Sequence, residues 1–390
     1  MSRYFGLVFF TIFLCQFSSA QRLLSKEEAI QAALNNQRNL KAANLSVQQQ
    51  ELLLKGTAGL ENPQITAETS PYESLQLGVQ QTFSMPGVYK NRKALQNERI
   101  RLAQLQLQGS QFELKRAVLL SYQQVQIITA KVNLLSYQDS VYRAIKVSAK
   151  RFFDAGQINK LEELQATSLA DRIHNDYLRA QADLASEKAI FNFYINNSDS
   201  FLVAPLSLTV FIPSPDTALN NIQQQILQQQ VVINEREWRV QKSQISPEIT
   251  AGLLFPTTKE YERAIGYQVG ISIPIWRRQN KSRISAARTG VDIAQAELEL
   301  EQQRLSVQYR QALTNYQRDL QSLAYFDNIA LPQARAIIET SQRLFQGGEL
   351  NYIESLRNLQ IAFDIFSDHL DTYQSYNENV ILLNYLNGTL

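Results

Sequence analysis

The 390-residue chain contains one cysteine, Cys15, and it lies in an apolar N-terminal segment from Tyr4 to Phe17. Arg3 precedes this segment and small residues follow it up to Ala20, which is the pattern of a secretory signal cleaved after Ala20. The mature chain would then have no cysteine, which excludes disulfides and thiolate metal sites. Lipid attachment at Cys15 is the less favoured alternative, because bulky apolar residues rather than small ones precede it.

Several other features are missing. No later segment offers the ~20 consecutive apolar residues of a membrane-spanning helix. The formal charge is +2, from 38 basic and 36 acidic residues. A nearly neutral chain does not produce the large positive electrostatic potential that attracts nucleic acid. His174 and His369 have no second ligand at metal spacing, and no nucleophile elbow, phosphate loop or HExxH pair is present. We therefore expect no enzyme, no cofactor and no metal site.

Glycine and proline are also rare, with 14 and 10 residues. The segment from Val88 to Asp154 has one glycine, Gly109, and no proline. The segment 277–346 has one glycine, Gly290, and one proline, Pro332. Apolar residues recur every three to four positions, so each run predicts a helix about 100 Å long. Helices of that length must pack side by side in an elongated bundle.

The chain also repeats itself. Residues 343–356 match residues 151–164 at six positions, 192 residues later. Phe83 to Pro86 corresponds to Ile271 to Pro274, and a third matching pair begins at Asn62 and Ser246. Copies of about 190 residues exceed the periods of solenoid repeats, so the chain is a duplicated half-protein.

Each copy contains a segment of period two, Leu75 to Phe83 and Ile265 to Ile273, preceded by a second strand candidate at 64–70 and 248–255. We predict two β-hairpins with one apolar and one polar or small face. A soluble, half-buried sheet would show the same alternation. Few charges and flanking aromatics favour transmembrane strands, whose predicted lumen residues are Gln76, Gly78, Gln80, Gly266, Gln268 and Gly270.

Four strands cannot close a transmembrane barrel, which needs about eight. Open edges in lipid would leave backbone groups unpaired. Transmembrane hairpins therefore require oligomerisation, and the physics does not choose between two chains and three.

Two tandem copies of helix, hairpin, long helix, tight turn and returning helix resemble the TolC family of outer-membrane efflux proteins over residues 22–390. The most specific motifs are the paired turns, Phe153, Gly156, Asn159, Glu162 and Leu164 in one copy and Phe345, Gly348, Asn351, Glu354 and Leu356 in the other. The resemblance implies a mainly α protein with transmembrane β-strands. Its homotrimer would form a 12-stranded barrel in the outer membrane of a Gram-negative-type bacterium, continued by a periplasmic α-helical barrel.

The expected organisation is a signal peptide at 1–20 and two efflux repeats at 21–205 and 206–390. The hairpins are expected at about 64–83 and 248–273, the long helices at 87–155 and 276–346, and the return helices at 158–195 and 351–387. Implied partners are a periplasmic adaptor (membrane fusion protein), an inner-membrane pump of the RND type, outer-membrane lipid and two further copies of the chain. No nucleic acid is expected.

The turns are expected to form the periplasmic end. Gly156 and Gly348 suit left-handed helix ends, Asn159 and Asn351 suit N-caps, and together these four are the predicted adaptor-docking residues. Glu162 and Glu354 fit capping boxes; six such carboxylates in a trimer would favour cations. Phe153, Phe345 and Arg357 complete the predicted aperture, in which Arg357 pairs with a neighbouring acid and holds the end shut.

The cargo is less defined. The segments 80–89 and 382–388 are similar to channels of heavy-metal cation pumps of the Cus/Czc type. A duct for drugs or for type I secretion of polypeptides has the same architecture. A different class, a periplasmic coiled-coil adaptor or scaffold, would also have long helices, but it would not need two hairpins at matching places.

Overall fold

The computed structural model of the chain describes residues 22–36, 38–57, 59–69, 75–196, 201–204, 206, 221–256, 265–346 and 349–390. The predicted signal peptide lies outside these residues. Helices are α1 (Lys26–Asn36), α2 (Arg38–Gly56), α3 (Pro86–Asp154), α4 (Lys160–Ile195), α5 (Ile222–Ser243), α6 (Arg277–Tyr325), α7 (Leu331–Gln346) and α8 (Tyr352–Leu386). Strands are β1 (Arg22–Leu24), β2 (Gln64–Thr69), β3 (Leu75–Ser84), β4 (Phe201–Val203), β5 (Glu248–Pro256) and β6 (Gly266–Ser272). The expectation of a mainly helical chain with a small antiparallel sheet is confirmed.

Helix α3 has 69 residues and is therefore about 100 Å long. It begins with Pro86 in the first helical position, where the missing N–H is not needed and the fixed φ suits a helix. No helix among the described residues is both long and apolar enough to cross a lipid bilayer.

The second long helix is interrupted. Between α6 and α7 lies a π-helical turn, Phe326–Ala330, in which the N–H of Leu331 donates to the carbonyl oxygen of Phe326, five residues earlier. Pro332 accounts for the interruption, because its ring has no N–H and would clash with the carbonyl four residues before it in a regular α-helix. The long helix expected over about 276–346 therefore contains a π-helical turn between α6 and α7.

The hydrophobic core is spread along the bundle. The helices contact each other over their length, so the buried side chains form separate clusters instead of one centre. Fully buried members include Ala166 and Leu359 near the two tight turns, Val118 and Phe191 between α3 and α4, Ile127 and Leu383 between α3 and α8, and Ile233 between α5 and α3.

A two-stranded parallel sheet of β1 and β4 lies beside α3. The hydroxyl of Tyr122 in α3 donates to the carbonyl oxygen of Leu24 (2.9 Å) and accepts from the N–H of Ala204 (3.0 Å). One buried side chain thus holds the ends of both strands against the bundle. Burial raises the pKa of this hydroxyl.

The main sheet has the order β2-β3-β5-β6, and every pair is antiparallel. The two hairpins are therefore joined through β3 and β5, with Gln80 opposite Gly252. Sequence analysis predicted each hairpin but not their pairing. Among the described residues, the outer edges of β2 and β6 have no strand partner.

Candidate functional site

The first tight turn ends α3 with a left-handed glycine. Gly156 has φ of 72°. Its N–H donates to the carbonyl oxygen of Phe153 (2.9 Å), and the N–H of Gln157 donates to that of Phe152 (2.8 Å). These two bonds define a Schellman motif, which satisfies carbonyls that the helix end leaves free.

Asn159 begins the returning helix with a complete capping box. Its Oδ1 accepts from the N–H of Glu162 (3.0 Å), and Oε2 of Glu162 accepts from the N–H of Asn159 (2.8 Å). The glutamate therefore has a structural role, and its partly exposed carboxylate still contributes negative charge at this end of the bundle.

The second turn repeats part of this arrangement. Asn351 accepts from the N–H of Glu354 at 2.9 Å, and the N–H of Glu349 donates to the carbonyl oxygen of Leu344 at 3.0 Å. The latter bond is equivalent to the one from Gln157 in the first copy. The side chain of Glu354 is exposed and forms no bond back to the N–H of Asn351, so this capping box is half formed. The predicted glycine Gly348 lies outside the described residues.

The two turns lie side by side. The ring of Phe345 is 5.9 Å from that of Phe152 and 6.0 Å from that of Tyr352, measured between centroids. Sequence analysis grouped Phe153 with Phe345 in the predicted aperture. Within one chain, the ring of Phe153 lies beneath the Lys160 ammonium, 5.0 Å from the ring centroid, and points away from the Phe152 side because neighbouring residues on a helix face different directions.

The charges at this end are partly paired. Lys160 forms an ion pair with Glu163, and this hydrogen bond lowers the pKa of the Glu163 carboxyl. Arg357 is exposed, and no carboxylate of the described residues in the same chain lies within ion-pair distance of it. The expected partner of Arg357 is therefore absent from the described part of its own chain.

The strand register places the six predicted lumen residues on one face of the main sheet. Gly78 lies opposite Thr66 and Leu254, and Gly270 lies opposite Thr250. Residues paired in this way belong to the same face of the sheet. On this face, Nε2 of Gln80 donates a hydrogen bond to Oε1 of Gln64 (3.1 Å). Residues on this face are Gln64, Thr66, Glu68, Gln76, Gly78, Gln80, Thr82, Ser84, Glu248, Thr250, Gly252, Leu254, Pro256, Gly266, Gln268, Gly270 and Ser272.

This polar face is crowded. A Cβ at Gly252 would lie 3.0 Å from both the Cβ of Gln80 and the carbonyl oxygen of Val79, and one at Gly78 would lie 2.5 Å from Oγ1 of Thr66. Small residues are required where backbones and side chains approach closely. The crowding is what the concave side of a curved sheet would have.

The opposite face is apolar and exposed. Ile65, Tyr267 and Val269 are 80%, 83% and 76% exposed. The face also includes Leu75, Leu77, Val79, Phe83, Ile249, Leu253, Phe255 and Ile271. A contiguous apolar face of this extent marks a surface that contacts lipid or another protein.

No family model matches the sequence, and no curated protein matches it significantly. Solved structures do match. The chain is similar to CusC, whose structures concern transmembrane channel formation (16% identity, TM-score 0.78, 92% of this chain and 91% of that one). It is also similar to the outer-membrane channel CmeC of Campylobacter jejuni (13%, 0.80, 94% and 86%) and to the outer-membrane protein VceC of Vibrio cholerae (12%, 0.77, 93% and 96%).

The chain has the fold of these outer-membrane channels. The resemblance to the TolC family drawn from the sequence is confirmed at the level of the fold. The match covers more than nine-tenths of this chain in each comparison.

Sequence reasoning missed one feature of the turn end of this fold. Leu161 and Ile353 are 64% and 43% exposed, and both stand two residues after the N-cap asparagine of their copy. The signal was present in the repeat, since an apolar residue recurs at a position that a solvated first turn would fill with a polar one.

Proposed function

We propose that the chain is the outer-membrane exit duct of a tripartite efflux system, working as a homotrimer. The observation that carries this proposal is the main sheet, with one polar crowded face, one apolar exposed face and two unpaired edges. Such a sheet is stable in lipid only if its edges are paired. Three copies would supply twelve strands, and the fold shared with outer-membrane channels favours three over two.

In this assembly the apolar face contacts outer-membrane lipid, and Gln76, Gly78, Gln80, Gly266, Gln268 and Gly270 line the lumen. The helices continue the duct through the periplasm for about 100 Å. The duct is a passive conduit with no catalytic step. An inner-membrane pump of the RND type supplies the driving force, and a periplasmic adaptor connects the pump to the turns.

The turn end is the proposed docking site for the adaptor. Gly156, Asn159, Gly348 and Asn351 shape the two turns. Leu161 and Ile353 add exposed apolar side chains, which a partner helix could cover. Leu161→Ser with Ile353→Ser should weaken adaptor binding, measured by co-purification, while leaving trimer assembly intact.

The carboxylates at the turn end are the proposed source of ion selectivity. Glu162 and Glu354 would give six negative charges at the narrow end of a trimer, which favours cations. In planar bilayers, Glu162→Gln with Glu354→Gln should lower the cation-to-anion permeability ratio. Glu297→Gln, an exposed carboxylate of α6 far from the turns, is the control and should change the ratio little.

Arg357 is proposed to help hold the aperture shut together with Phe153 and Phe345. Because its own chain provides no partner among the described residues, the pairing acid would come from a neighbouring protomer of the trimer. Arg357→Ala should raise single-channel conductance, and unchanged conductance would remove Arg357 from the gate.

Heavy-metal cations are the proposed cargo, supported by the similarity to CusC and by the acidic turn end. No three His, Asp or Glu side chains in the described part of the chain cluster closely enough to hold a metal ion, so specificity would reside in the pump. Drug efflux or type I secretion is the alternative cargo class, and export assays with the neighbouring pump separate them.

The experiment that tests this function is cell fractionation followed by detergent extraction and mass determination. A detergent-requiring trimer in the outer-membrane fraction is expected. A detergent-free periplasmic monomer or dimer would instead support an adaptor or coiled-coil scaffold.

A further inference from the structure

Unpaired cations surround the start of α6. Arg278, Lys281 and Arg283 lie in its first two turns, directly after the apolar edge strand β6, and all three are exposed. No carboxylate of the described residues lies within ion-pair distance of any of them. Ion pairing resumes further along the helix, where Arg288 lies 3.7 Å from Asp292.

The first copy has cations at two of these three positions. Lys90 and Lys93 in α3 stand 188 residues before Arg278 and Lys281, the offset that also relates the two hairpin ends. Both lysines are exposed, and neither forms an ion pair with a described residue. We call these five residues, Lys90, Lys93, Arg278, Lys281 and Arg283, the basic belt.

The sequence segments that carry the belt contain no acidic residue, and Glu248, which lies opposite Ser84 and Ser272 at the end of the sheet, interacts with the Ser84 hydroxyl. No Asp or Glu occurs from residue 84 to 97 or from residue 265 to 291, although the chain as a whole is nearly neutral. Neither α3 nor α6 has an acid in its first turn. A helix N-terminus carries partial positive charge, so cations there are unfavourable unless an anion is bound nearby. The cations and the helix N-termini therefore both attract an anion to the start of α3 and α6.

Apolar side chains lie next to the cations. Ile275 and Trp276 are 68% and 74% exposed, and they line one surface cavity together with Arg278 and Arg283. Ile275 continues the alternation of Tyr267, Val269 and Ile271, so the cavity lies at the border of the apolar face. A ligand at this place must present both an anion and hydrocarbon.

Anionic phospholipid has this chemistry. We propose that the basic belt binds the phosphate groups of anionic phospholipids in the periplasmic leaflet of the membrane, an inference that rests on the outer-membrane placement proposed above. Arginine binds phosphate through two parallel N–H groups, and lysine binds it as a point charge. With the belt at the headgroups, Trp276 at the start of α6 would lie at the membrane interface, where tryptophan is enriched.

The dimensions agree with this assignment. Arg278 and Arg283 are separated by about 8 Å along the axis of α6. The headgroup layer on each side of a bilayer is about 5–7 Å thick. The span of the belt is therefore comparable to the thickness of one headgroup layer adjoining the hydrocarbon that the apolar face contacts.

The test uses the full-length trimer reconstituted in vesicles of equal parts phosphatidylcholine and phosphatidylglycerol. After gentle detergent extraction, the ratio of the two retained lipids is measured by native mass spectrometry. The wild type should retain phosphatidylglycerol preferentially. Arg278→Gln, Lys281→Gln and Arg283→Gln combined should reduce this preference by about tenfold. The control, Arg179→Gln, Lys188→Gln and Arg335→Gln combined, removes three unpaired cations elsewhere on the helices and should preserve it.

Salt provides a measurement that needs no variant. Because charge interactions at a surface are screened, the preference of the wild type should fall as sodium chloride is raised toward about 1 M. Equal retention of both lipids by an inserted wild-type trimer, or equal preference in the belt variant, would overturn the proposal. Failure of the wild type to insert in any vesicle would instead contradict the proposed channel function. A belt variant that changes conductance but not lipid preference would assign the cations to the lumen, also against the proposal.

Discussion

Gly156 and Gly290 both have free space where a side chain would be, but they differ in backbone conformation. A Cβ at either position would meet nothing within 4 Å, so substitution by alanine causes no clash. Gly156 has φ of 72° at the end of α3, whereas Gly290 lies inside α6. The two positions therefore separate conformational preference from packing.

We expect Gly156→Ala to destabilise the protein by ~1–2 kcal/mol, because a left-handed conformation is unfavourable for residues with a Cβ. Gly290→Ala should stabilise it by up to ~1 kcal/mol, because alanine loses less entropy than glycine in a helix. Thermal unfolding followed by circular dichroism measures both. A gain in stability for Gly156→Ala would contradict the turn geometry.

Two buried tyrosines provide a second contrast at the residue scale. The hydroxyl of Tyr122 makes two backbone hydrogen bonds, whereas the buried hydroxyl of Tyr352 has no partner among the described residues. Burial raises the pKa of both hydroxyls.

Tyr122→Phe should cost ~1–3 kcal/mol, because it leaves the backbone groups of Leu24 and Ala204 without a partner. Tyr352→Phe should leave the free energy of unfolding unchanged or raise it slightly, because no bond is lost. Denaturant titration distinguishes these results. Equal losses in the two variants would mean that the hydroxyl bonds of Tyr122 contribute nothing.

At the scale of elements, the sheet combines information that is local in the sequence with information that is not. The period-two pattern of Leu75 to Phe83 predicts both faces of β3, because strand side chains alternate. The pairing of β3 with β5 joins residues more than 160 positions apart, and no local pattern encodes it. The capping box of Asn159 was predictable from its spacing, whereas the contact between Phe152 and Phe345 depends on how two helices meet.

The polar face of the sheet yields an element-scale prediction. Gly252→Ala should lower the yield of folded protein in the membrane fraction, because its Cβ would lie 3.0 Å from the backbone oxygen of Val79 and the Cβ of Gln80. Gly270→Ala is the matched control, because its Cβ would meet only the Cβ of Thr250, at an ordinary 3.8 Å. Equal yields for both variants would mean that the close packing of this face is unimportant.

At the scale of the whole molecule, the described part of a single chain leaves one face and two edges of the main sheet uncovered. A bundle of long helices ends in a sheet with an exposed apolar face and two edges that lack a partner in the described chain. With the sheet placed in a membrane as proposed, further chains are needed, since four strands cannot close a barrel. The number of copies does not follow, because it depends on how edges of different chains meet.

The most direct test of the proposed trimeric barrel is cysteine cross-linking of β2 in one chain to β6 in another. With Cys15 replaced by serine, the chain has no other cysteine, so single cysteines along β2 and β6 can be combined without background. In outer-membrane fractions, our account predicts that oxidation of chains carrying both cysteines gives covalent dimers and trimers for pairs in register. Chains with only the β2 or only the β6 cysteine should stay monomeric on denaturing gels. If no combination along the two strands cross-links in membranes that contain the protein, edge-to-edge assembly of the sheet is contradicted.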